Sequence, residues 1–231
     1  MSIHYSGVKL HDGLMPLTHT AASFRTDLIK AEPMFFRADP GFAESHGDLL
    51  TQDFLAAARD IWGSLEGCIV DSRHHMLMPG MYPCIPGWHT DDAPRDQSRW
   101  GGQPDIFNPE YVTEHLLCIV DVGTESLTEF LTGDVGLYQP HFERELERGR
   151  NFYRTADHLF NTVARAKPPT AITVKSFQIA EFDVHSWHRG QSAKQRGFRW
   201  FIRITRNSRH AVQNELRSNA QVYITDSSYG W

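Results

Sequence analysis

The sequence predicts a mainly β protein, a sandwich or barrel of short strands supported by two or three helices. Most of its apolar runs are short and alternate with polar residues, as half-buried strands do, and turn-forming residues separate them. One stretch instead repeats its apolar residues every three to four positions, which is typical of an amphipathic helix. With 231 residues, the chain has a length that suits one large domain, because β sandwiches and barrels often run this long undivided.

Two segments are predicted to be helical. Residues 48–66 carry apolar residues at helical spacing, with Asp48 placed to cap the N-terminus and Gly67 placed to end the helix. Residues 141–165 have a similar pattern and are predicted to form a second helix. Both helices are expected to support the strands from one face, as layered β folds allow.

Five segments are predicted to be strands. They are residues 68–78, 111–121, 126–131, 171–184 and 198–205. The last segment shows the alternation most clearly. One of its faces carries Phe198, Trp200, Ile202 and Ile204, and the other carries Arg199, Phe201 and Arg203. No repeat or linker divides the chain, so residues 1–231 are predicted to be a single domain.

Composition excludes several classes of protein. A hydrophobic fraction of 40% and a charged fraction of 22% are ordinary for a globular protein, and no apolar stretch is long enough for a membrane span. The N-terminus shows no export signal, and the three scattered cysteines (Cys68, Cys84 and Cys118) are expected to be reduced thiols. A cytoplasmic location is therefore expected. The formal net charge of −5 argues against a general nucleic-acid binder.

A metal site is indicated by the segment PGWHTDDAPR at residues 86–95. If the segment is extended, the imidazole of His89 and the carboxylate of Asp91 project to the same side and can bind one ion. With a second histidine they form the facial triad of non-haem Fe(II) oxygenases, which leaves coordination positions open. The motif alone is weak, since the chain has 13 histidines and a second His-x-Asp at His46. We discount that second motif because its aspartate is better explained as the helix cap.

A second motif follows in the segment FDVHSWHRGQSAKQRGFRWFIRITR. Ten residues separate His188 from Arg199, which is enough chain to leave one strand, turn and return along its neighbour. A guanidinium at Arg199 suits bidentate binding of a carboxylate. If this arginine is buried, it needs an anionic partner, and no acidic residue nearby in sequence supplies one.

This arrangement resembles the Fe(II)/2-oxoglutarate-dependent oxygenase superfamily, in particular its branch similar to phytanoyl-CoA hydroxylase. The matching segments are WHTD at 88–91, WHRG at 187–190 and GFRWFIRIT at 197–205. The resemblance covers about residues 68–206 and matches nothing in the first 67 residues or in the tail. It implies a double-stranded β-helix, a jelly-roll or cupin-like barrel, with the site at its open end and with helical support from about 48–66 and 141–165.

The resemblance also implies the roles of individual residues. Its iron ligands would be His89, Asp91 and His188, and the residue that binds the distal carboxylate of 2-oxoglutarate would be Arg199. His185 remains an alternative to His188, although only His188 has the family spacing to Arg199. Arg203 lies on the same predicted strand face as Arg199, so it is a second candidate for the carboxylate.

The expected function is that of an Fe(II)- and 2-oxoglutarate-dependent dioxygenase that uses O₂ to hydroxylate a small organic substrate. Within the resemblance, Asp91 favours hydroxylation over halogenation, because its carboxylate takes the position that a halide would need. A nucleotide or nucleic-acid base is a second substrate class, indicated by seven basic and no acidic residues from His185 to His210. Two alternatives stay open: a cupin-like metalloenzyme that does not use 2-oxoglutarate, such as a zinc hydrolase, and a non-catalytic binding barrel.

Overall fold

The computed structural model describes residues 2–13, 21–95, 102–148, 151–163 and 170–224. Strands hold more of these residues than helices do, as predicted. The helices are α1 (Ala22–Ala31), α2 (Pro40–His46), α3 (Leu49–Trp62), α4 (Gln139–Glu147) and α5 (Phe152–Val163). The strands are β1 (Ser2–Ser6), β2 (Lys9–His11), β3 (Met34–Phe36), β4 (Ile69–Leu77), β5 (Met81–Tyr82), β6 (Glu114–Val122), β7 (Thr128–Tyr138), β8 (Thr170–Val174), β9 (Ile179–Asp183), β10 (His188–Gly190), β11 (Gly197–Arg206), β12 (Glu215–Arg217) and β13 (Tyr223–Ile224).

Two antiparallel sheets form the centre of the molecule. The larger sheet has the strand order β2-β9-β6-β11-β4, and in the smaller sheet β7 pairs with β1, β8 and β10. An isolated bridge between His89 and His188 adds one more segment beside β10. From β4 to β11 the chain passes repeatedly from one sheet to the other, as in a double-stranded β-helix. The predicted fold class is confirmed, and the strands of the described ranges form two main sheets and two small two-stranded sheets rather than one closed barrel.

Apolar side chains fill the space between the two sheets. This cluster contains Leu117, Ile119, Phe130, Val174, Ala180 and Phe182. The rings of Phe130 in β7 and Phe182 in β9 meet with their centroids 4.9 Å apart. Such contacts remove apolar surface from water, at about 25 cal/mol per Å². These apolar residues join the two sheets. Beside them lies a cavity, which is lined by polar residues of the same inner faces.

Helices α1, α2 and α3 cover the outer face of the larger sheet, where Phe54 of α3 packs in the same buried cluster as Trp200 of β11. The carboxylate of Asp48 caps α3, as predicted, by accepting a 2.8 Å hydrogen bond from the N–H of Leu49. The helix ends at Gly63 rather than at the predicted Gly67. Gly63 has a φ of 78°, a left-handed conformation that glycine adopts without steric cost.

The predicted helix over 141–165 is two helices, α4 and α5, and they cover the smaller sheet. Phe142 and Phe152 pack there against Leu131 and Leu137 of β7. The prediction that all helices lie on one face was therefore wrong. Its physical reason is that β7 is apolar on its outer side as well as on its inner side, so both sheets need a covering layer.

The predicted strand over 171–184 is also two elements, β8 and β9. Phe177 between them has a φ of 69°, and the N–H of Gln178 donates to the carbonyl of Lys175, so the chain turns there. Outside residues 68–206, β1 and β2 extend the two main sheets, while β12 and β13 pair with β3 and β5. Over the described ranges, no helix has the length and apolar character needed to cross a membrane.

Candidate active site

Three candidate ligands come together at the edge of the smaller sheet. His89 and His188 lie opposite each other and exchange two backbone N–H···O hydrogen bonds, each 2.9 Å long. Asp91 follows two residues after His89. One ligand atom from each of these three residues lies within 4.8 Å of the other two. The structure therefore brings together the three residues that the sequence indicated as a metal site.

The backbone orients both imidazole rings. Nδ1 of His89 donates to the carbonyl of Gly87 at 3.0 Å, and Nδ1 of His188 donates to the carbonyl of Ser186 at 3.1 Å. Because a carbonyl oxygen only accepts, each Nδ1 carries a proton, and in a neutral ring Nε2 presents a lone pair. Nε2 of His188 lies 3.3 Å from Oδ2 of Asp91. An imidazole nitrogen and a carboxylate oxygen that face each other in this way can bind the same cation.

The protonation states of this group suit metal binding. Burial, together with the neighbouring His188, lowers the pKa of His89 to about 4, so this ring is neutral at pH 7. Burial alone would raise the pKa of Asp91, but the guanidinium of Arg203 holds that pKa well below its ordinary value. Neutral imidazole and ionised carboxylate are the forms that ligate metals, so binding requires no proton release from these two groups.

His185 lies apart from these three residues. Its Nε2 donates to the carbonyl of Ile106 at 3.0 Å, and it does not belong to the cluster of possible ligands. The tryptophans beside the histidines, Trp88 and Trp187, are buried in the apolar cluster under α4 and α5. The structure thus places His188, and not His185, with the other two candidate ligands.

Arg199 points from β11 into the space between the sheets, as the alternation predicted. Its neighbour Trp200 packs on the opposite side, under the helices, and Arg199 itself is only 3% exposed. Nε of Arg199 donates a 2.7 Å hydrogen bond to the carbonyl of Ser126. Burial lowers the pKa of Arg199 to about 10, which leaves it charged at pH 7. Among the residues with described positions, no carboxylate forms an ion pair with it, so an anionic ligand would supply the missing charge.

Arg203 shares this face of β11 but already has acidic partners. Its Nη1 lies 2.5 Å from Oδ2 of Asp91, and its Nη2 lies 3.2 Å from Oδ2 of Asp71. Asp71 stands directly across from Arg203 on β4. The assignment of Arg203 to the co-substrate carboxylate stays a prediction, and its contacts differ clearly from those of Arg199.

Sequence reasoning missed the polar face of β4. Asp71, Arg73 and His75 alternate along this strand and line the same cavity as Arg199. Burial and then the charge of Arg199 lower the pKa of His75 to about 3, and its Nε2 donates to the carbonyl of Gln221 at 3.2 Å. The signal was a run of five consecutive polar residues, 71–75, in a predicted strand, because alternation must then put polar side chains on its inner face.

Two cavities border the candidate ligands. The first, of about 190 Å³, is lined by His89, Asp91, His188 and Arg199 among others, and we call it the arginine cavity. The second, of about 510 Å³, we call the tyrosine cavity. Its lining includes Tyr111, Tyr153 and Tyr223 as well as His89 and Asp91. Since both cavities border His89 and Asp91, ligands in both would reach the same metal ion.

No protein-family model matches the chain, and no curated protein matches it. Similar solved structures include iron-bound HygX from Streptomyces hygroscopicus, 12% identical, with a TM-score of 0.48 and coverage of 91% of this chain and 93% of that chain. HygX with nickel and 2-oxoglutarate bound is 13% identical, with a TM-score of 0.45 and coverage of 92% of this chain and 93% of that chain. EvdO2 from Micromonospora carbonacea var. aurantiaca, complexed with 2-oxoglutarate, is 12% identical, with a TM-score of 0.41 and coverage of 92% and 91%. These are distant likenesses, so the proposed function depends on the geometry of the site.

Proposed function

We propose that this protein is a non-haem Fe(II)- and 2-oxoglutarate-dependent dioxygenase that hydroxylates a small organic substrate. The observation that carries the proposal is that His89, Asp91, His188 and the buried Arg199 line one cavity. This cavity combines a metal site with a receptor for a carboxylate. It fits a co-substrate that chelates a metal through its 2-oxo acid end and carries a second carboxylate at its other end.

The donor set fits Fe(II). Two imidazoles and one carboxylate fill three coordination positions and leave the others open for co-substrate and O₂. The lone pairs of His89 and His188 are fixed by their backbone hydrogen bonds, so the ligands are oriented before a metal arrives. A structural zinc site would take four protein ligands, and the cluster found among the described residues has three.

Charge balance supports 2-oxoglutarate as the co-substrate. Fe(II) together with the Asp91 carboxylate carries one positive charge, and Arg199 adds a second. Arg203 adds none to this sum, because Asp71 provides its opposite charge. Dianionic 2-oxoglutarate matches the charges of the two groups it would contact, the iron centre and Arg199, where unmatched buried charge is costly.

With iron and 2-oxoglutarate bound, the site supplies oxidation by O₂ coupled to decarboxylation of 2-oxoglutarate to succinate. The chain itself contributes binding and orientation. His89, Asp91 and His188 hold the metal, and Arg199 fixes the distal carboxylate. Phe201 lines the arginine cavity and limits the water that reaches the co-substrate. The tyrosine cavity receives the primary substrate.

Anaerobic addition of Fe(II) and 2-oxoglutarate tests this proposal directly. We expect a weak visible charge-transfer band that forms in the wild type and in His185→Ala but not in His188→Ala. A zinc hydrolase or a non-catalytic barrel would show no such band, so its absence from folded wild-type protein contradicts the proposal. Substrate screening by stimulated 2-oxoglutarate consumption then follows, with small metabolites first and nucleotides second.

A further inference from the structure

We propose that Arg203 is a positioning residue for the metal site, which holds the Asp91 carboxylate through a chain of ion pairs that ends at Asp71. The inference rests on the proposed function in one respect, namely that His89, Asp91 and His188 bind a divalent metal. In this role Arg203 acts on a metal ligand, whereas Arg199 contacts the co-substrate.

The guanidinium of Arg203 bridges two carboxylates. It contacts Oδ2 of Asp91 at 2.5 Å through Nη1 and Oδ2 of Asp71 at 3.2 Å through Nη2. Oδ1 of Asp71 in turn accepts a 3.1 Å hydrogen bond from the backbone N–H of Arg37, which fixes this second carboxylate. The planar guanidinium has donors at fixed directions, whereas a lysine ammonium is a single point charge. The contacts therefore run unbroken from the backbone to a candidate metal ligand.

Arg203 orients Asp91 without using up its capacity to bind a metal. An ionised carboxylate has about four lone-pair positions, and the ion pair with Arg203 is made through Oδ2. The same oxygen lies 3.3 Å from Nε2 of His188, so the carboxylate already faces the histidines. A metal ion can thus bind Asp91 while Arg203 stays in place.

Asp71 determines whether Arg203 helps or hinders a metal ion. A lone cation beside a ligand would repel a divalent ion in this largely buried site. Asp71 cancels that charge from the opposite side, so the ion meets an oriented carboxylate instead of an additional positive charge. Loss of Arg203 leaves the Asp91 carboxylate without the donor that orients it, and loss of Asp71 leaves a positive charge in excess. Either change should weaken metal binding.

Affinity for Mn(II), measured by calorimetry on the full chain, tests the proposal. We expect Arg203→Met to weaken Mn(II) binding by about 10- to 100-fold, the usual effect of losing a partner that orients a ligand. Arg203→Lys and Asp71→Asn should each lose roughly tenfold, because each retains only part of the bridge. The matched control is Arg206→Met. Arg206 lies on the same strand and pairs with Glu114 away from the cavity, so this variant should bind Mn(II) as the wild type does.

A double-mutant cycle separates positioning from a general weakening of the fold. If the two residues act as one unit, Asp71→Asn has little further effect on Mn(II) affinity once Arg203 is methionine. Fully additive losses would overturn the proposal, as would wild-type affinity in folded Arg203→Met. If Arg203→Met does not fold, Arg203→Lys provides the test, because it retains a cation between the two carboxylates. Wild-type Mn(II) affinity in Arg203→Lys would then overturn the bridging role.

Co-substrate affinity at saturating Mn(II) provides a second readout. We expect 2-oxoglutarate to bind Arg203→Met far more tightly than Arg199→Met. Equal loss in both variants would make Arg203 a co-substrate receptor and would overturn the positioning role. A folded wild-type protein that does not bind Mn(II) would contradict the metal site itself, and with it both proposals, which distinguishes that failure from a failure of Arg203 alone.

Discussion

Arg199 donates from Nε to the carbonyl oxygen of Ser126, a 2.7 Å hydrogen bond that ties the guanidinium to the segment entering β7. This bond uses one of the five N–H donors of the group. The terminal amino groups supply the other four, and two parallel bonds from a guanidinium are what a carboxylate accepts best. The hydrogen bond to Ser126 therefore fixes the orientation of the Arg199 side chain and leaves its terminal amino groups to bind an anion.

Substitution of Arg199 should weaken the binding of 2-oxoglutarate according to how many hydrogen bonds the new side chain can still donate. Charge-assisted hydrogen bonds contribute about 1.5–3 kcal/mol each, and about 1.4 kcal/mol corresponds to a tenfold change in affinity. We expect a loss of roughly tenfold in Arg199→Lys and about 100-fold or more in Arg199→Ala. Calorimetry with 2-oxoglutarate at saturating Mn(II) measures this, with Arg206→Ala as the control. Unchanged affinity in folded Arg199→Ala would refute the assignment.

Removal of any one candidate ligand should abolish turnover. His89→Ala, Asp91→Ala and His188→Ala each leave two ligands, which is too few to hold Fe(II) in an open site. Their Mn(II) affinity and 2-oxoglutarate decarboxylation should both collapse. His185→Ala should retain most of its activity, because His185 bonds to a backbone carbonyl away from the cluster. If His185→Ala were inactive and His188→Ala active, His185 rather than His188 would be the second histidine ligand.

Under the proposed function, zinc should inhibit turnover in competition with iron. The same three ligands bind Zn²⁺ well, but Zn²⁺ has no redox chemistry and does not activate O₂. Added Zn²⁺ should raise the Fe(II) concentration needed for half-maximal 2-oxoglutarate decarboxylation without changing the maximal rate. Activity that appears with Zn²⁺ under anaerobic conditions would indicate hydrolysis instead.

Glu181 should make the stability of the protein depend on pH in the acid range. Burial alone would raise its pKa, but hydrogen bonds from Trp62, His11 and Lys9 lower it below the ordinary 4.5. The ionised form is thus favoured by folding, so its contribution is present above pH 4.5 and is lost as pH falls through the lower folded value.

The Glu181→Gln variant measures this contribution. At pH 7 its free energy of unfolding should fall by about 1 kcal/mol or less, because the site is partly solvated. The difference from wild type should shrink towards pH 3, where the carboxylate of the wild type is protonated as well. Urea unfolding at both pH values provides the measurement. A difference that grows on acidification would show that the sign is wrong.

Local patterns were sufficient to predict part of the arrangement of these residues. Alternation along 198–205 assigned Arg199 to the face opposite Trp200, because every second residue of that strand is apolar and must be covered. The same rule put His89 and Asp91 on one side of their segment. These predictions needed only neighbours along the chain, and the structure agrees with the strand face and with the clustering of His89 and Asp91.

The acidic partners of Arg203 could not be predicted from neighbouring residues along the chain. Arg203 and Asp71 meet because β4 and β11 pair in one register, and register is set by packing across the whole sheet. The covering of the smaller sheet by α4 and α5 is equally non-local. The arginine pattern on β11 looked uniform in sequence, and only the structure shows that Arg203 contacts two carboxylates while Arg199 donates to the carbonyl of Ser126.

The pairing of His89 with His188 also has a consequence for folding. These residues are about 100 positions apart in the chain, and a metal ion that binds both closes a loop of that length. A covalent cross-link over about 100 residues removes roughly 4.7 kcal/mol of chain entropy from the unfolded state in the simplest treatment. An ion is not a covalent link, but it would stabilise the native state by its binding free energy, because only the native fold brings these two residues together. Removal of the metal by a chelator would therefore lower the stability of the native protein as well as abolish the proposed turnover.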